Sequence, residues 1–138
     1  MKKINYISVV VLMAILSGCA TPIDPALVKQ HEAFVQRMQT RVIETNDRSI
    51  VTRGMILALQ DLNFIINQAD AERGVISAKK FGEYPIELSV EIKPISESLV
   101  SVHGIARYHS KTIEDPALYD QIFSSLQKSV SRVVHPVD

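Results

Sequence analysis

Between residues 86 and 93 apolar and polar side chains alternate without a break. Ile86, Leu88, Val90 and Ile92 share one parity, and Glu87, Ser89, Glu91 and Lys93 the other. Successive residues of a strand point to opposite faces, so this run is a strand with one buried face and one wet face. The pattern returns after a turn over residues 94–98. Val100, Val102, Gly104, Ala106 and Tyr108 form one face, and Ser101, His103, Ile105 and Arg107 the other. Parallel sheets bury both faces, whereas antiparallel sheets tolerate water on one. Two successive half-wet strands therefore call for an antiparallel sheet, and for something apolar to cover its dry side.

Two helical stripes supply that cover. Val51, Met55, Ala58, Leu59 and Leu62 recur at the helical period behind Asn46-Asp47, which can cap a helix. Asn63 suits the left-handed position just past the end of that helix. Asp115-Pro116 opens the second, with Tyr119, Ile122, Phe123, Leu126, Val130, Val133 and Val134 as its apolar stripe and Pro136 as its stop. Residues 39–45 are rich in β-branched side chains and read as a first strand. Residues 64–67 and 75–79 read as a hairpin, joined through a turn where Gly74 can take positive φ. The expected fold is α+β, an antiparallel sheet of 4–5 strands with two helices on one face, in the order β-α-β-β-β-β-α. Ahead of it, Leu27, His31, Phe34, Val35 and Met38 stand at helical spacing in an arm that is either a short amphipathic helix or extended.

The leader constrains location. Met1-Lys2-Lys3 precedes a mostly apolar run from Ile4 to Leu16, too short for a comfortable membrane span of about 20 residues. The run ends in Leu16-Ser17-Gly18-Cys19, and Cys19 is the only cysteine. This stretch resembles the lipobox of bacterial lipoproteins, in which a peptidase cuts before a cysteine that carries diacylglycerol through a thioether. The strand and helix patterns make residues 39–138 a single α+β domain. The resemblance implies a signal peptide over residues 1–18 and a lipidated tether and arm over 19–38. It also implies anchoring in the outer membrane through lipid at Cys19, since Ala20 follows where an aspartate would signal inner-membrane retention, with the domain facing the periplasm. With Cys19 acylated, no thiol is left for disulfide, metal or redox chemistry.

A second resemblance lies in the domain. Ala58-Leu59-Gln60-Asp61-Leu62-Asn63-Phe64-Ile65-Ile66, then Ala69-Asp70 and Gly74-Val75-Ile76-Ser77-Ala78, resembles a stretch of small outer-membrane lipoproteins in which glycine usually replaces Asn63. The element order is similar to that of BamC-like accessory lipoproteins. The motif describes a helix-to-strand corner, so it implies fold and envelope role but no chemistry.

Catalytic patterns are missing from the sequence. No serine lies in a Gly-x-Ser-x-Gly elbow, the five glycines are scattered, and no basic stripe exists to track nucleic acid. Of the four histidines, His103 and His109 share a parity but stand roughly 20 Å apart along a straight strand. No metal and no cofactor is expected, and no enzymatic activity. Glu91, His103, Ile105 and Arg107 on the wet face, with Phe34 on the arm, are the candidate contacts for another envelope protein. The expected role is a non-enzymatic accessory or scaffold component of a secretion or membrane-protein insertion assembly. The alternative is a small-ligand or peptidoglycan-binding module, or a hydrolase whose site assembles only in three dimensions.

Overall fold

The computed structural model describes Gly18 and residues 21–135, so the signal-peptide reading and Cys19 lie outside the described residues. The chain divides after His31 into two compact units. In the first, Asp24 opens helix α1 (Pro25–Met38). Its carboxylate accepts the Ala26 N–H at 2.9 Å, and its carbonyl accepts the Leu27 N–H at 3.0 Å. The arm is thus helical from Pro25. Its last turns belong to the second unit, where Met38 is buried and Val35 packs on the core.

The second unit continues with β1 (Thr40–Glu44), α2 (Arg48–Asp61), β2 (Ile65–Asp70), β3 (Val75–Lys80), β4 (Ile86–Pro94), β5 (Leu99–Tyr108), β6 (Lys111–Thr112) and α3 (Pro116–Val134). All strand pairs are antiparallel, in the order β1-β5-β4-β3-β2, with β6 paired to the far end of β5. The fold class is α+β as expected, but two details are corrected. A sixth, two-residue strand joins the sheet, because the chain reverses through a tight turn after Tyr108 with His109 at φ 53°. Among the described residues there are also three helices, α1 being the addition. The order is therefore α-β-α-β-β-β-β-β-α.

Local signals explain the element ends. Asp47 caps α2, its Oδ1 accepting the Ser49 hydroxyl at 2.6 Å and the Ser49 N–H at 2.8 Å. Those bonds, the hydroxyl's first, hold its carboxyl below the usual aspartate range. The lowered pKa means that this cap stabilises the fold above the unfolded-state pKa and loses its contribution as pH falls through the folded one. At the other end Asn63 sits at φ 65°, with Asn63 N–H bonded to the Gln60 carbonyl (3.0 Å) and Phe64 N–H to the Leu59 carbonyl (2.8 Å). That is a Schellman closure with asparagine in the left-handed position.

Ile76, Ala78, Leu88, Val90, Ile92, Val100, Val102 and Ala106 form the dry side of the sheet, and α2 and α3 complete the core with Val51, Met55, Leu59, Tyr119, Ile122, Phe123 and Leu126. The two helices approach closely at small residues. A Cβ on Gly54 would lie 2.8 Å from Val130 Cγ2, and Ser129 is fully buried nearby on α3. Val134, counted in the apolar stripe from its spacing, is instead 47% exposed because the last turn of α3 runs past the core.

One buried hydroxyl ties several elements together. Tyr119 Oη donates to the Ile113 carbonyl (2.8 Å) and accepts from the Ala106 N–H (3.0 Å) and from Gln39 Nε2 (3.3 Å). Removing it leaves a buried N–H and a carbonyl without partners, which costs more than the mean hydrogen bond. Tyr119→Phe is expected to lower unfolding free energy by about 2 kcal/mol, read as a reduced urea midpoint with an unchanged slope.

Candidate functional site

Helices α2 and α3 cover one side of the sheet, and the side chains of its other side are exposed or half-buried. These come from the wet parity of each strand: Thr40 and Val42 on β1, Ser101 to Arg107 on β5, Glu87 to Lys93 on β4, and Val75 to Lys79 on β3. Register turns these into rows. Thr40, His103, Glu91 and Val75 lie side by side across four strands, and Arg107, Glu87 and Lys79 do so nearer one end.

Glu91, His103, Ile105 and Arg107 are thereby brought onto one surface. Glu91 and His103 are direct cross-strand partners, Ile105 faces Ser89, and Arg107 faces Glu87. Val75, Ser89, Glu91, His103 and Ile105 line a shallow depression of 270 Å³. Phe34 is not one of its lining residues; it lies on α1, 53% exposed. Ile105, expected as an exposed aliphatic residue, is only partly exposed. Its ring of neighbours is contributed partly by Val75, from a strand 30 residues earlier, which no local pattern foretells.

The polar contacts of the face are specific. His103 Nδ1 and Thr40 Oγ1 are 2.9 Å apart. Lys93 Nζ donates to Glu91 Oε1 at 2.8 Å, and Lys79 Nζ to Glu87 Oε1 at 3.2 Å. A hydroxyl, an imidazole and a carboxylate therefore stand in one row, the residue types of an acid–base relay. The row does not have relay geometry, because the Glu91 carboxylate turns along its own strand to Lys93 and leaves the imidazole unoriented from that side. What the row can do is recognise. It presents a hydrogen-bonding stripe, flanked by Ile105 and Val75, to a flat polar-and-apolar surface.

Thr40 and Val75 were missed as site residues by sequence reasoning. The only signal for them was strand parity, and in β1 that parity is ambiguous. Val42 is 50% exposed while Arg41 lies on the helix side, its guanidinium 4.9 Å from the Phe123 ring centre and its Nη2 2.7 Å from Asp120 Oδ1.

Among the described residues no group of His, Cys, Asp or Glu could hold a metal ion, and no helix is long and apolar enough to cross a membrane. Neither a scan of protein-family models nor a comparison with curated protein sequences yields a match.

Proposed function

We propose that this protein is a lipid-anchored outer-membrane lipoprotein that works without catalysis, as an accessory or scaffold component of an envelope assembly. The partner in this reading is another envelope protein, bound on the open sheet face in the periplasm. The observation that carries it is the face itself. Glu91, His103, Ile105 and Arg107 gather on the side of the sheet opposite α2 and α3, around a depression too shallow to enclose a small molecule. The lipobox-like run ending at Cys19 supports the anchor, and the BamC-like element order supports the kind of role. A tether confines both partners near one membrane, so a modest contact gains effective concentration.

Two measurements test the two halves of this reading. Cys19→Ser is expected to abolish lipid at the N-terminus and to move the protein out of the outer-membrane fraction; an unlipidated wild-type Cys19 in mass spectrometry defeats the anchor. Ile105→Glu, with melting checked against wild type, is expected to reduce co-purification of the envelope partner, as is Phe34→Glu if the arm contributes. If both variants keep every partner, the open face is not the binding surface.

A further inference from the structure

We infer that the outer edge of β1 is a pairing surface for a second copy of this chain, the two copies joining antiparallel about Val42 into one continuous sheet. The inference starts from which way the backbone of β1 points. Gly104 N–H donates to the Gln39 carbonyl at 2.8 Å, and Thr45 N–H to the Ser98 carbonyl at 2.9 Å. In an antiparallel ladder the hydrogen-bonded positions alternate, so residues 39, 41, 43 and 45 direct their N–H and C=O groups at β5. Thr40, Val42 and Glu44 direct theirs away from the sheet. Among the described residues no strand pairs with them on that side. The Thr40 carbonyl accepts Arg41 Nη1 at 3.0 Å, which confirms that it faces outward and leaves it one lone pair.

Only an extended backbone presents donors and acceptors at this two-residue repeat. A second copy of β1 fits because the edge is self-complementary. Antiparallel pairing about Val42 sets Val42 against the partner's Val42, Thr40 against the partner's Glu44, and Arg41 against the partner's Ile43. No like charges stand directly opposite; the two Arg41 side chains are diagonal neighbours, each paired with Asp120 of its own chain, and a hydroxyl that already contacts His103 faces a carboxylate. Even-numbered residues of both copies then share the open face, so the helices of both copies lie on the same side, as one continuous sheet requires. About six inter-chain hydrogen bonds close the junction. Val42, 50% exposed in one chain, is covered at its centre. Beside the edge, the groove between β1 and α3 is lined on the helix by Gln127, Val130 and Ser131, which carry no charge to repel a copy of themselves. The opposite edge of the sheet is less apt. The register of β2 shifts at Asn67, and such a bulge breaks the two-residue repeat. The junction shares Thr40 and Val42 with the rim of the open face, but Ile105 lies on the neighbouring strand β5, so the Val42 and Ile105 variants report on the two contacts separately.

Sedimentation equilibrium of the full chain in a density-matched detergent tests the inference. Wild type is expected to show a mass rising from one chain towards two with concentration. Val42→Pro removes only an outward N–H and touches no bond to β5. By symmetry it deletes two inter-chain bonds, so dimer dissociation is expected to rise roughly tenfold to hundredfold. Val42→Lys places two ammonium groups at the centre and is expected to weaken the dimer at least as much, and it decides the matter if the proline variant does not fold. Gln68→Lys, on β2, is expected to leave the dimer intact. A wild-type mass of one chain up to about 1 mM overturns the inference, and so does a dimer that Val42→Lys leaves unchanged.

Discussion

Val90→Asp is expected to unfold the domain or to cost about 4 kcal/mol or more, while Glu91→Gln, one residue away, stays within roughly 0.5 kcal/mol. Val90 is 2% exposed, paired between Ile76 and Gly104 in the centre of the sheet under α2 and α3. A carboxylate there would lose its water and gain no partner, because the side chains of the surrounding cluster are hydrocarbons, methionine thioethers or the already committed Tyr119 hydroxyl. The group would protonate rather than stay charged, and would still leave buried polar atoms unmatched. A domain of this size holds only 5–15 kcal/mol in reserve as a class. Glu91 is on the other side, its side chain 48% exposed and its ion pair with Lys93 of the surface kind that contributes little. Urea denaturation of both variants gives the comparison. Equal losses would mean that the sheet faces the other way.

That contrast was legible from the alternation alone, since a two-residue period leaves a strand only two orientations. The same holds for β5 and for both helix caps, where Asp47 and Asp115 act through their own carboxylates on N–H groups two residues on. Asn63 was legible because few side chains tolerate its conformation. What escaped the sequence depends on contacts between distant residues. β6 is two residues long and exists because Arg107 and Tyr108 extend beyond the end of β1 and offer an unpaired edge. The facing of β1 was obscured because Arg41 stacks on Phe123 and Val42 points outward, which inverts the usual hydropathy of the two parities. In the candidate site, Glu91, His103, Ile105 and Arg107 follow from parity within two adjacent strands. Thr40 and Val75 follow only from register, which depends on how strands 63 and 16 residues away are slid against them. Phe34 was named from helical spacing, and spacing says nothing about whether a helix lies near a given sheet face.

Gly74→Val is expected to lower stability by roughly 3–5 kcal/mol, and Gly74→Asn by an appreciable part of that. Gly74 closes the β2–β3 hairpin at φ 69°, its N–H donating to the Asp70 carbonyl at 2.8 Å. Its own carbonyl accepts the Ile92 N–H at 2.7 Å, so the residue also begins the β3–β4 ladder. Two separate demands therefore fall on one position. The left-handed conformation penalises any β-branched side chain, and asparagine would satisfy it at little cost. The second demand is space: a Cβ on Gly74 would overlap the Ile92 carbonyl oxygen and stand 3.3 Å from Arg48 Cδ. Arg48 is itself engaged, donating from Nη2 to the Glu72 carbonyl in the same turn. A backbone carbonyl inside a ladder cannot step aside without breaking neighbouring bonds, so asparagine removes only the first penalty. Comparing the two variants by urea midpoint separates the terms. If Gly74→Asn unfolds with wild type, the close approach at Ile92 opens freely, and conformation alone explains the glycine.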